Sequence, residues 1–80
     1  MEQNIIEVSF IFNDKRYDVN LSADSFESEN SESLYLTTME YIDDVSFTFF
    51  YHKEKEVVTA VSFSYEHYGE MISGYAHIVD

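Results

Sequence analysis

The sequence contains no cysteine, no proline and no tryptophan, and it has only two glycines and four basic residues. Without cysteine the chain can form neither a disulfide scaffold nor a zinc site with thiolate ligands. Four Lys and Arg residues are too few to cluster against phosphates, which excludes a basic nucleic-acid reader. The low glycine content also excludes the glycine-rich phosphate loops of nucleotide-binding enzymes.

Negative charge and aromatic side chains dominate instead. Sixteen Asp and Glu residues give a net charge of −12 over 80 residues, and 18% of the chain is Phe or Tyr. The length allows a single domain over residues 1–80. The charge favours disorder, whereas the 45% of apolar residues favours folding. We expect a folded domain stabilised by buried aromatic rings, with a homodimer as a second way to cover apolar surface.

Apolar and polar residues alternate along most of the chain, which predicts β-strands. The alternation runs from Ile6 to Phe12 and from Tyr17 to Leu21, and the turn cluster 13–15 between them predicts a hairpin. It returns in residues 45–51, 57–65 and 72–78. Together these segments predict an all-β fold, a single antiparallel meander of about six strands that forms a curled sheet or half-barrel.

Two segments lack this clear alternation. Residues 34–42 fit either a strand or a helix, because Leu34, Thr38 and Tyr41 would also share a helix face; their β-branched and aromatic content favours the strand. Residues 22–33 hold five serines and four acids around Phe26. They predict a flexible, solvated acidic loop with at most one helical turn.

The alternating faces also differ in chemistry. One predicted face is aromatic and aliphatic, and the other consists largely of Ser and Thr, which is typical of an antiparallel sheet with one wetter face. Six of the seven tyrosines lie near strand ends, beside acids. They pack within the sheet or, together with the carboxylates, form a surface suited to Arg-rich and Lys-rich proteins.

A meander places its turns and termini at two opposite ends, so the acids can be assigned to each end. Both termini, the 22–33 loop and the 53–56 turn give one end a charge of −6, against −3 for the other end and −3 for the strands. Solubility needs a net charge of only about 2–8, so the excess indicates an electropositive partner. The predicted partner-binding residues are Asp24, Glu27, Glu29, Glu32, Glu54 and Glu56, with Asp43 and Asp44 as second choice.

No pattern of catalytic or metal-ligating residues is recognisable. His52, His67 and His77 lack ligand spacing, and none of the ten serines lies in a nucleophile elbow. A single small sheet also leaves little room for a pocket of catalytic size. We therefore expect no enzyme activity, no metal and no cofactor.

The whole chain resembles, in size and charge, the phage-encoded DNA-mimic proteins that block host defence. These include anti-CRISPR proteins, anti-restriction proteins and uracil-DNA glycosylase inhibitors. The chain is also similar in kind to the acidic immunity proteins that neutralise nuclease toxins. No shared motif carries the resemblance, which rests on composition.

The resemblance implies a non-enzymatic inhibitor that binds the positively charged nucleic-acid-binding surface of a nuclease or defence complex. The alternatives are an immunity protein for a nuclease toxin and a small structural or assembly subunit whose charge serves solubility alone. Residues 1–4 are acidic and polar, and no apolar run approaches the roughly 18 residues of a membrane helix. We expect a cytoplasmic protein, in the host cytoplasm if phage-encoded, that binds neither membranes nor nucleic acid directly.

Overall fold

The computed structural model describes residues 4–28 and 30–79. Within them the chain forms seven β-strands and one short 3-10 helix (Ala23–Ser25). The strands are β1 (Ile5–Phe12), β2 (Lys15–Ser22), β3 (Tyr35–Ile42), β4 (Val45–His52), β5 (Val57–His67), β6 (Glu70–Tyr75) and β7 (His77–Val79). The predicted all-β antiparallel fold is confirmed, and most of segment 34–42 lies in a strand, as its composition favoured.

The strands form two sheets where the sequence predicted a single meander. One sheet has the order β2-β1-β7 and the other the order β3-β4-β5-β6. The chain passes from the second sheet to the first between β6 and β7, where the Ala76 amide donates to the Val61 carbonyl at 2.8 Å. From there β7 pairs with β1, with Ile78 opposite Phe10. This arrangement lets each sheet cover the apolar face of the other.

Two-residue turns close three of the hairpins. Asn13 and Asp14 have φ values of 53° and 62°, and Asp43 and Asp44 have values of 51° and 66°. Two successive left-handed residues match the twist of the flanking strands, and Asn and Asp tolerate that conformation better than other non-glycine residues. The third turn uses Tyr68 and Gly69, with φ values of 49° and 80°. The first of these turns falls within the 13–15 cluster that the sequence predicted.

Aromatic rings from both sheets form the core between them. The ring of Phe10 on β1 lies 5.0 Å from that of Phe47 on β4, and the ring of Phe12 lies 4.7 Å from that of Phe63 on β5. The largest fully buried side chains are Phe10, Phe47, Phe49, Leu21 and Val61. These contacts join two sheets that share few backbone hydrogen bonds, so aromatic packing holds the domain together.

A β-bulge in β5 changes which valine enters the core. Strict alternation predicted Val57 on the apolar face and Val58 on the other. The register shifts instead between the pairs Phe50–Ala60 and Tyr51–Val58, which leaves Thr59 as the extra residue. Val58 is therefore only 6% exposed, whereas Val57 is 50% exposed. An inserted residue reverses the side of the sheet to which the residues beyond it point, which explains why Val58 and not Val57 is buried.

The segment 22–33 is more closely attached to the sheets than its composition indicates. Ser22 ends β2, and the predicted helical turn is the 3-10 helix. Phe26 is only 8% exposed, and its ring lies 5.8 Å from that of Tyr51. Glu27 exchanges two backbone hydrogen bonds with Thr37 on β3, at 2.9 and 2.8 Å. The single aromatic residue of the segment thus anchors it, because burying one aromatic ring stabilises the attachment.

The bulge predicts unequal effects for the same substitution at neighbouring positions. Val58→Ser should lower the free energy of unfolding by about 1.5–3 kcal/mol, because it removes a buried side chain. Val57→Ser should change it by less than about 1 kcal/mol. Urea denaturation of both variants measures the difference, and a larger loss at Val57 would show that β5 keeps strict alternation.

Candidate functional site

Five of the six first-choice residues lie at one end of the molecule, which we call the acidic end: Asp24, Glu27, Glu32, Glu54 and Glu56. Backbone hydrogen bonds bring their segments together. The Ala23 amide donates to the Asn4 carbonyl at 2.9 Å, and the Lys53 amide donates to the Leu34 carbonyl at 2.9 Å. All five side chains are exposed. The sixth residue, Glu29, lies outside the described residues.

The 53–56 turn of the acidic end is held by the buried side chain of His52. The Lys55 amide donates to His52 Nδ1 at 3.1 Å, and the Glu56 amide donates to the His52 carbonyl at 2.8 Å. On the other segment, the Glu32 amide donates to the Asn30 side chain at 2.9 Å. The carboxylates of Glu32, Glu54 and Glu56 thus project from hydrogen-bonded turns, which restricts their backbone positions before any partner binds.

The opposite end, which contains the second-choice residues Asp43 and Asp44, is partly neutralised within the molecule. Lys15 Nζ lies 3.4 Å from Asp43 Oδ2, and the Tyr17 hydroxyl donates to the same oxygen at 3.3 Å. The Lys15 ammonium also lies over the Tyr17 ring, 5.0 Å from its centroid. Asp43 therefore has an internal cation, and a partner would have to compete with it.

Asp18 on β2 is likewise occupied by internal contacts. The Ser9 hydroxyl of β1 donates to Asp18 Oδ1 at 2.5 Å, and Arg16 Nε donates to the same oxygen at 3.2 Å. The hydrogen bond from Ser9, and to a lesser extent the one from Arg16, lower the pKa of Asp18 below its ordinary value of 3.8. Both bonds stabilise the charged form of the carboxyl.

The predicted difference in charge between the two ends depends on residues that the structure does not describe. Within residues 4–28 and 30–79, each end has a formal charge of −3, and the strands contribute another −3. The remaining acids are Glu2, Glu29 and Asp80. What distinguishes the ends in the described part is pairing, because the two ion pairs found there involve Asp43 and Asp18.

Sequence reasoning predicted a second surface only as a wetter face of Ser and Thr residues; it is the outward side of the four-stranded sheet, which we call the outer sheet face. The residues of this face alternate along the strands with the buried residues Phe47, Phe49 and Val61. Apart from Glu66 at the end of β5, the residues of the four strands that form it are uncharged: Tyr35, Thr37, Met39, Tyr41, Ser46, Thr48, Phe50, Ala60, Ser62, Ser64, Met71, Ser73 and Tyr75. Its Ser and Thr residues agree with the predicted wetter face.

The tyrosines of the outer sheet face are much more exposed than those in the core. Tyr41 is 69% exposed and Tyr75 is 74% exposed, whereas Tyr17 and Tyr51 pack against the buried cluster. One signal in the sequence could have revealed this face. Residues 45–52 carry no Asp or Glu at all, in a chain with one acid in every five residues.

A shallow groove crosses the outer sheet face. One part has a volume of about 290 Å³ and is lined by Tyr35, Phe50, Thr59, Ala60 and Tyr75. An adjoining part of about 230 Å³ is lined by Glu27, Ser33, Tyr35, Thr37 and Phe50. The two parts share Tyr35 and Phe50, so we treat them as one cross-strand groove that leads from apolar side chains to a carboxylate.

A larger cleft of about 620 Å³ opens between the sheets, beside the 13–14 and 43–44 turns. It exceeds the room expected from a single small sheet. Phe and Tyr side chains form a large part of its walls, and Asp43 is the one carboxylate among its lining residues. Lys15 and Tyr17 both bind Oδ2 of Asp43, so this oxygen is already engaged within the molecule.

No protein family, curated protein or solved structure matches this chain. In the described part of the chain, no group of three or more His, Asp and Glu side chains converges on a point where a metal ion could bind. The same residues include no helix long and apolar enough to span a bilayer.

The Asp18 contacts predict a measurable pKa change. In Ser9→Ala the pKa of Asp18 should rise toward 3.8, because the largest contribution to its lowering is lost. A carboxyl with a lowered pKa stabilises the fold above its unfolded pKa, and that contribution disappears as the pH falls through the folded pKa. NMR titration of the Asp18 carboxyl carbon measures the shift, with Ser62→Ala as control. An unchanged pKa would show that Ser9 does not hold this carboxylate.

Proposed function

We propose that this protein is a non-enzymatic inhibitor that binds the positively charged nucleic-acid-binding surface of a partner protein, as a DNA or RNA mimic does. The observation that carries the proposal is the small extent of internal charge pairing. Thirteen of the sixteen acids lie within the described residues, and of these only Asp18 and Asp43 form ion pairs there. The other carboxylates of this part remain open to external cations.

The acidic end is the part best suited to this binding. Its five described carboxylates lie on segments that backbone hydrogen bonds tie to the sheets, so little backbone ordering is needed on binding. Exposed negative charge attracts a basic surface over a distance of about one Debye length and accelerates association at low salt. Once bound, the carboxylates would occupy positions that the partner otherwise offers to phosphates.

The spacing of the acids adds to this argument. Residues two apart in extended chain lie about 6.6 Å from each other, close to two axial steps of a nucleic-acid strand. Glu54 and Glu56 have this sequence separation, and so do Glu27 and Glu29. Glu56 has a φ of 53°, so the first pair lies on a turn and departs from fully extended spacing. The mimicry we propose is therefore one of charge and approximate spacing.

A second candidate is a small assembly subunit that associates through its sheet. The outer sheet face favours it, because Met39 and Tyr41 are exposed there at 64% and 69%. Exposed apolar side chains on a sheet face with little charge are typical of interaction surfaces. Association through this face would be indifferent to salt, whereas binding through the acidic end would weaken as salt rises. Salt dependence therefore distinguishes the two candidates.

A matched pair of variants tests the proposal. The protein is immobilised, incubated with a host-cell extract at low salt, and eluted with duplex DNA. We expect a nucleic-acid-binding protein that DNA displaces, because both ligands would use the same surface. Glu54→Gln with Glu56→Gln should weaken its binding about ten-fold. Asp43→Asn with Asp44→Asn removes equal charge at the other end, keeps the turn chemistry and should have a smaller effect.

Three results would contradict the proposal. Capture that is insensitive to both DNA and salt would exclude a nucleic-acid-binding surface as the target. A larger loss in the Asp43/Asp44 variant would move the site to the opposite end. Capture of no protein, together with a dimer that persists at high salt, would support the assembly subunit instead.

A further inference from the structure

One row of paired residues runs straight across the outer sheet face and beyond its edge. Thr37 pairs with Phe50, and Phe50 pairs with Ala60. Outside β3, the row continues through the isolated bridge between Thr37 and Glu27. Directly paired residues of antiparallel strands point to the same face. The Glu27 side chain therefore shares the outer sheet face with Phe50, about two strand spacings or roughly 9–10 Å away.

The cross-strand groove follows this row and changes in polarity along it. Phe50 and Ala60 form its floor between Tyr35 and Tyr75, and Tyr75 is 74% exposed. The other part of the groove contains Glu27 and Thr37. Within the described residues Glu27 forms no ion pair. The groove thus offers an apolar, aromatic stretch that ends at an uncompensated carboxylate.

We propose that this groove binds an arginine side chain of a cationic partner protein; the inference rests on the proposed function and specifies one contact within it. An arginine has an apolar stem that covers hydrophobic surface and a cationic head that pairs with carboxylates. Its stem would lie over Phe50 and Ala60, and its guanidinium would reach Glu27. The Thr37 hydroxyl provides a further acceptor beside the carboxylate.

The aromatic walls favour arginine over lysine. The planar guanidinium stacks on tyrosine rings and donates two parallel hydrogen bonds to a carboxylate, whereas the lysine ammonium is a compact and more strongly hydrated charge. Tyr35 and Tyr75 border the groove on opposite sides. Tyr35 is also fixed in place, because its ring packs against those of Phe50 and His52, at centroid distances of 6.4 and 5.1 Å. One wall of the site is thus preorganised.

Charge decides between a basic partner and a second copy of this chain as the occupant. A second copy would add another −12 and bring two acidic surfaces together. Two of the four basic residues, Lys15 and Arg16, are already paired with Asp43 and Asp18. A positively charged partner gains from the same field that opposes self-association, so the complementary occupant is a cationic protein.

The experiment uses N-acetyl-arginine amide as the probe and amide NMR shifts of the full chain as the readout, at low salt. We expect saturable shifts at Tyr35, Phe50 and Ala60, with affinity on the order of millimolar. Glu27→Gln should weaken binding about five-fold. Glu40→Gln is the matched control, because it changes the charge by the same amount. Glu40 lies on the opposite face of β3, across from Phe47. The neutral citrulline analogue should not bind.

Equal weakening by Glu27→Gln and Glu40→Gln would overturn the inference, since it would indicate only a general attraction of cations. Binding of citrulline equal to that of arginine, or shifts confined to other surfaces, would also overturn it. Tyr75→Ser provides a second variant, in which binding should fall while the amide spectrum stays that of the folded protein. A DNA-displaceable partner without arginine binding would leave the proposed function standing and remove this contact. Arginine binding without such a partner would support this contact and contradict the proposed function.

Discussion

Aromatic packing between the two sheets is the interaction on which the rest of the structure depends. Phe10 and Phe12 from one sheet meet Phe47 and Phe63 from the other, with ring centroids 4.7–5.3 Å apart for the closest pairs. The domain has no disulfide to assist this contact, and its net charge of −12 opposes compaction. Large rings bury the most area per residue, which makes a small, strongly charged sheet protein feasible.

The strand pattern then separates three kinds of side chain. Aromatic and aliphatic residues enter the core, Ser, Thr and Tyr residues cover most of the outer sheet face, and most of the acids lie in the turns and the 22–33 segment. The molecule consequently presents charge and apolar surface in adjacent regions. An apolar centre bordered by polar and charged groups is the usual composition of a protein-binding surface. Glu27 belongs to both regions, which is why it is central to the proposed contact.

Local signals in the sequence predicted the strands and turns well. Asn13 and Asp14, and likewise Asp43 and Asp44, accept the left-handed backbone that a two-residue hairpin turn requires. Features that depend on distant contacts were not predictable from local patterns. The pairing of β7 with β1 joins the two ends of the chain, and the bulge at Thr59 is hidden because Val57 and Val58 are both apolar. The burial of Phe26 depends on the position of Tyr51.

The candidate site also combines features that are predictable from local sequence with features that depend on distant contacts. Composition identified the acids of the 22–33 loop and the 53–56 turn, and topology brought those two segments to one end. The sequence did not show that Asp18 and Asp43 are occupied, because Ser9 and Lys15 reach them from other strands or turns. Nor did it show that Glu27 faces outward beside Phe50, since that follows from a single bridge to Thr37.

The central claim is that the carboxylates of the acidic end serve a partner at some cost to the fold. The most direct measurement is the free energy of unfolding of the Glu54→Gln/Glu56→Gln variant at low and high salt. Removing two like charges should make the variant more stable than the parent protein at low salt, and the gain should shrink as salt screens the repulsion. A variant less stable than the parent at low salt would contradict the account, because these carboxylates would then stabilise the fold.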